Sequence, residues 1–133
     1  MSSYKWSGKV YFADTDAAGV VHHSQYLRWL EAARIDYFDH LGFPYEQLQA
    51  RHIGFVPHKI NATYHRPLRF ADTFMVKVMI SQIKRASLTL YQPLYKGDTL
   101  VYDASITFAC MNEADWTIIA IPNDLKQCLS ERT

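Results

Sequence analysis

Asp14 and Asp16 stand two residues apart in Ala13-Asp-Thr-Asp-Ala-Ala-Gly-Val-Val-His-His23, directly ahead of a segment with helical periodicity. A carboxylate can attack a carbonyl or take a proton from water. A helix start supplies free backbone N–H groups and the positive end of a dipole, which favour developing negative charge. One such donor aimed at an oxyanion is worth about a hundred- to a thousandfold in rate. The two together suit acyl transfer to water. The same spacing is met equally well by an aspartate that caps a loop or the helix, because Asp is common in loops.

Other chemistries fit the sequence poorly. Asp14-Thr-Asp-Ala-Ala-Gly19 shares the start of a calcium loop, but Ala18 and Gln25 fall where oxygen ligands are needed. His22, His23, His52, His58 and His65 have no zinc-motif spacing and read as surface or hydrogen-bonded side chains. Glycines 8, 19, 42, 54 and 97 make no phosphate loop, and there is no G-x-S-x-G elbow. Cys110 and Cys128 read as two reduced thiols. Fourteen basic against thirteen acidic residues leave a formal charge of +1, too little to hold nucleic acid or an anionic membrane. An anionic ligand must then be caught by a local basic cluster. The first six residues lack the apolar run of a signal peptide, and no charge-free stretch is long enough to span a bilayer. A soluble, cytoplasmic protein is expected. Aromatic residues make up 14%, enough to line a pocket for a flat ligand or simply to fill the core and interfaces.

The elements that must position Asp16 follow from hydrophobic period. Lys5 to Phe12 reads as a first strand and 13–21 as a loop. Tyr26, Leu30, Ala33, Tyr37 and Leu41 form the buried stripe of a helix from Ser24 to Leu41, with Ser24 as its N-cap and Gly42-Phe-Pro44 as its end. Arg28, Glu31, Arg34 and Asp39 fall on its polar side. A short second helix is predicted from Pro44 to Arg51. After Gly54 the pattern becomes alternating. Phe74, Val76, Val78 and Ile80 make one strand face, and Leu88, Leu90, Gln92 and Leu94 another. Pro93 points to an edge or a bulge. Lys96-Gly-Asp98 reads as a hairpin turn, and Leu100, Tyr102, Ala104, Ile106, Phe108 and Cys110 line a long strand. Thr117 to Ile121 and a C-terminal helix at Pro122 follow. No repeat or linker divides the 133 residues, so one α+β domain is expected, its helix packed on an antiparallel sheet.

Residues 11 to 34, Tyr-Phe-Ala-Asp-Thr-Asp-Ala-Ala-Gly-Val-Val-His-His-Ser-Gln-Tyr-Leu-Arg-Trp-Leu-Glu-Ala-Ala-Arg, resemble the signature of the 4-hydroxybenzoyl-CoA thioesterase family. The likeness extends through Tyr64 to Asp72, Lys84 to Leu88 and Ala120 to Pro122, nearly the whole chain. It implies a hotdog fold, a long central helix wrapped by an antiparallel sheet, spanning 1–133. It implies hydrolysis of an acyl-CoA, with Asp16 as nucleophile or general base. Carried over by position, the His23 backbone N–H polarises the thioester carbonyl, Gly19 lets the loop backbone approach closely, and Asp14 is structural. Lys84, Arg85 and Ser87 match a basic stretch that meets the CoA phosphates, while Thr117 stands where some relatives carry a base. The resemblance implies no cofactor, CoA being part of the substrate, and a homotetramer of dimers with shared sites. Within the family the chain is most similar to the 1,4-dihydroxy-2-naphthoyl-CoA hydrolases of phylloquinone (vitamin K1) synthesis. The rivals are a general short-chain acyl-CoA thioesterase of the Tol–Pal-associated type, a hydratase of the same fold and a non-catalytic acyl-CoA-binding protein.

Overall fold

The structure, a computed structural model, describes residues 3–133. Strand β1 (Tyr4–Lys9) leads through a single 3-10 turn at Phe12–Asp14 and an extended loop into helix α1 (Gln25–Leu41). Helix α2 (Tyr45–Ala50) follows, then β2 (Ile53–Tyr64), β3 (Thr73–Ile83), β4 (Ser87–Lys96), β5 (Thr99–Asn112), the two-residue β6 (Thr117–Ile118) and helix α3 (Asn123–Ser130). The sheet runs β1-β3-β4-β5-β2, antiparallel throughout, with β6 paired to the end of β5. This is the expected α+β hotdog arrangement.

The helix is held by the face the sequence marks. Tyr26, Trp29, Leu30, Ala33, Tyr37 and Phe38 are buried against the inward side chains Val76, Val78, Ile80, Leu90, Leu94, Ala104 and Ile106. Full burial of each large apolar side chain contributes about 1.5–3 kcal/mol. Gln92 is the single buried polar residue of the described chain, and its Nε2 donates to the Leu30 carbonyl at 2.9 Å. Gly42, at φ 87°, ends the helix as expected.

Five local expectations change. The first strand stops at Lys9 because Val10 turns in to bond Asp72 and becomes fully buried. Ser24 is not a side-chain cap; its own backbone is helical and its Oγ lies 2.8 Å from His22 Nδ1. Arg34 is not on the polar side of α1, for it is only 16% exposed and lies over the Phe108 ring. Of the two alternatives for Pro93 the bulge holds and the edge does not: β4 is central, and Pro93 opposes Asp103 of β5 while the pairs to β3 pass from Leu94 to Tyr91 without it. A register shift beside it, at Leu94/Tyr95, takes Leu100 out of the buried face and brings Val101 in.

The two sheet edges differ. β1 is short, with Lys5, Ser7 and Lys9 exposed. β2 is long, and residues 57–64 are all exposed, Ile60 and Tyr64 among them.

Candidate active site

The loop before α1 is folded by its own backbone. Asp16 N–H donates to Val20 O at 2.9 Å, and Gly19 N–H returns to Asp16 O at 3.0 Å. The Asp16 carboxylate accepts the Ala18 N–H on Oδ1 at 2.9 Å, an Asx turn that fixes the side chain. No donor among the described residues occupies Oδ2, and the residue is exposed. Gly19 sits at φ 80°, and an added Cβ would meet nothing within 4 Å. Within the chain its need is therefore conformational. Asp14 has the structural role foreseen: its Oδ2 accepts Tyr11 N–H and its carbonyl accepts His22 N–H, both at 2.8 Å.

His23 follows at the mouth of α1. Its N–H meets no acceptor among the described residues, and its carbonyl accepts the Tyr64 hydroxyl at 2.7 Å. The His22 and His23 rings stack at 4.3 Å. Bridges from Thr15 to Val21 and from Val20 to Arg69 tie the loop to itself and to the turn before β3. Thus Asp16, Gly19 and His23 are brought together on one exposed loop. The arrangement joins a fixed carboxylate to an unclaimed backbone donor beside the positive end of a seventeen-residue helix.

Two hollows border α1. Leu27, one turn past His23, opens a hollow of about 160 Å³ with Arg28, Glu31, Pro57 and Ile60. Glu31, Arg34 and Pro57 also border a larger cleft of about 460 Å³ whose apolar walls include Phe38, Phe55, Leu88 and Phe108. Arg34 Nη1 is buried without a hydrogen-bond partner, and its nearest acid, Glu31, is 3.9 Å away. Burial pulls the Arg34 pKa down from its ordinary value. Sequence reasoning missed this residue, although it closes the quoted motif; an arginine two turns down an amphipathic helix gave no sign that the sheet would cover it.

Lys84, Arg85 and Ser87 are not near Asp16. They form the β3–β4 hairpin, closed by Lys84 N–H to Ser87 O at 2.9 Å, with both cations exposed. The Asp16 loop is anchored where β3 begins and the hairpin where it ends, so about ten strand steps, roughly 33 Å, separate them.

Comparison with known proteins agrees with the fold. The model of the thioesterase-like superfamily matches residues 10–129. The acyl-CoA thioester hydrolase YbgC of Escherichia coli O6:H1 is 29% identical over 123 residues, 92% of each chain. The solved structure of the gentisyl-coenzyme A thioesterase BH1999 superposes with a TM-score of 0.88 at 26% identity, covering 95% of this chain and 99% of that one. Slr0204, a 1,4-dihydroxy-2-naphthoyl-CoA thioesterase from Synechocystis, also gives 0.88, over 98% of this chain and 97% of that one, at 16% identity, which speaks for the fold alone.

Proposed function

Because this chain belongs to the thioesterase-like superfamily, we propose that it is an enzyme hydrolysing acyl-CoA thioesters, with Asp16 as its catalytic carboxylate. The observation that carries this reading is the pairing of a held Asp16 carboxylate, Oδ2 unoccupied, with the unclaimed His23 N–H on one loop. Asp16 either attacks the thioester carbon, giving an anhydride that water then cleaves, or takes a proton from the water that attacks. Both routes place charge on the carbonyl oxygen, where the His23 N–H meets it, and both release CoA thiol and a carboxylic acid. The His23 imidazole is a further substrate contact.

Each working site is composite. The CoA arm between sulfur and pyrophosphate has about the backbone length of four to five residues, so it reaches roughly 15 Å. It cannot join Asp16 to the Lys84–Ser87 hairpin of the same chain. The exposed β2 edge, with Ile60 and Tyr64 uncovered, is the kind of edge that proteins cover. A second copy pairing there antiparallel carries its own hairpin toward the first copy's Asp16. The assembly is a homotetramer built from such dimers, acting in the cytoplasm.

For the acyl group, the phenylalanine walls of the cleft beside α1 favour a flat aromatic ring. The narrow form of this reading is hydrolysis of 1,4-dihydroxy-2-naphthoyl-CoA in phylloquinone synthesis. A second reading, a general short-chain acyl-CoA thioesterase, is favoured by the 29% identity to YbgC along 92% of the chain. CoA release from naphthoyl, 4-hydroxybenzoyl, benzoyl and short aliphatic thioesters separates them. The aromatic reading expects the bicyclic ester to be turned over best. Equal or faster aliphatic turnover moves the protein to the general class, and no turnover on any ester overturns the enzymatic reading.

A further inference from the structure

The turn between β5 and β6 holds Trp116 outward, 60% exposed, with its backbone in the left-handed region at φ 58°. A bulky side chain rarely takes that conformation, and here local bonds impose it. Trp116 N–H donates to Asn112 O at 2.7 Å, and Ala114 N–H to Asn112 Oδ1 at 2.8 Å. Asp115 is turned onto the Thr117 N–H and hydroxyl at 3.1 and 2.7 Å. Ile118, two residues on, is 66% exposed.

The same end of the sheet carries the basic hairpin. Ile121 N–H donates to Arg85 O and Cys110 N–H to Ala86 O, both at 2.8 Å. Trp116 is bonded to Asn112, which stands two strand steps from Cys110, so the Trp116 and Ala86 backbones lie within about 15 Å of each other. A gap of that size, bordered by long side chains, is within the reach of a nucleotide. Neither Lys84 nor Arg85 has an ion-pair partner among the described residues. Thr117, next in the chain, supplies no charge. The other exposed aromatic pair, Phe12 and Phe70, already stacks ring on ring at 3.8 Å, and it sits at the far end of the sheet.

We propose that Trp116 is the stacking platform for the adenine of the CoA substrate, beside the phosphate contacts of Lys84 and Arg85. It rests on the reading of the hairpin as the CoA end of the site. A nucleotide couples a flat base to anionic phosphates, and this end of the sheet presents both an open indole and two cations without ion-pair partners among the described residues.

The test compares an acyl-CoA with the same acyl group on pantetheine, which lacks the nucleotide. Trp116→Ala is expected to raise KM for the CoA ester about tenfold, the effect of losing one base stack, with kcat unchanged and the pantetheine ester unaffected. Trp116→Gly, which relaxes the left-handed backbone, should behave like Trp116→Ala, and Trp116→Phe should keep most of the affinity. Adenosine 3′,5′-bisphosphate should quench the tryptophan fluorescence of the unaltered protein, and the quench should vanish in Trp116→Phe. An unchanged KM in Trp116→Ala, an equal rise for the pantetheine ester, or a change in oligomeric mass overturns the proposal. If the unaltered protein cleaves no thioester, the enzymatic reading fails alone, and the nucleotide titration still decides on Trp116.

Discussion

The two ends of the sheet are built by different means. At the start of β3, the Asp16 loop is made by bonds between residues a few positions apart: Ala18 to Asp16, Gly19 to Asp16, His22 to Asp14. At its far end, Lys84 and Arg85 share the sheet end with Trp116 only because β6 takes over the line of β4 alongside β5. One end is a local motif that presents a reactive group, and the other is a product of strand pairing that presents charge and an aromatic face. A substrate with a reactive ester at one end and a nucleotide at the other needs both, and one chain holds them too far apart for a single molecule.

The largest effect expected at the loop end is that of Asp16→Asn. Amide for carboxylate keeps the Oδ1 acceptor for Ala18 and removes the charge that attacks or activates water. CoA release should fall at least a hundredfold in kcat with the thermal midpoint unmoved, since the side chain is exposed. Retained turnover would strip the loop of its catalytic role.

The separation of the two ends gives a sharper test. A Lys84→Ala, Arg85→Ala double variant should raise KM at least tenfold with kcat near that of the unaltered enzyme, because two phosphate contacts are lost. Mixed and reassembled with Asp16→Asn and assayed well below KM, where it is itself nearly inactive, it should recover about a quarter of the normal activity at equal amounts. In a mixed dimer one composite site is whole and the other doubly damaged, and half of randomly formed dimers are mixed. Failure to recover would place both ends of the substrate on one chain.

How much of this was legible follows the same division. The Asp16 loop, the buried stripe of α1 and the alternating faces of β3 and β4 could be read because their signals are local and periodic. Gly42 at the helix end is likewise a local signal. Ser24 misled because His22, two residues before it, competes for the hydroxyl. Pro93 was half legible: it sits beside a register shift and not at an edge, because the pairs with β3 skip it and leave no ladder bond there for its missing N–H. The burial of Arg34 and the gap between Asp16 and Lys84 depend on which strands lie side by side, and no run of residues encodes that. The shift at Leu94/Tyr95 shows the limit well: one extra residue reverses which of Leu100 and Val101 faces inward.

The smallest expected effect lies in the turn that ties the loop end to β3. Asp72 Oδ2 accepts the Arg69 N–H at 2.9 Å, its Oδ1 is 3.0 Å from Lys96 Nζ, and Ala71 beside it is left-handed at φ 71°. Partial burial acts to raise the Asp72 pKa, but the Arg69 N–H and the Lys96 ammonium outweigh it and hold the carboxyl below its ordinary value. A carboxyl depressed in the folded state stabilises the fold above its unfolded pKa, about 4, and loses that contribution as pH falls through the folded value. Asp72→Asn should therefore lower stability by about 1 kcal/mol at pH 7, a modest figure because Lys96 is over half exposed. The difference between variant and unaltered protein should shrink toward zero in denaturant melts as pH falls through the depressed Asp72 value. A difference that persists in acid would mean the turn depends on the shape of the side chain and not on its charge. The loop end would then be held by backbone geometry alone, as the bonds around Asp16 are.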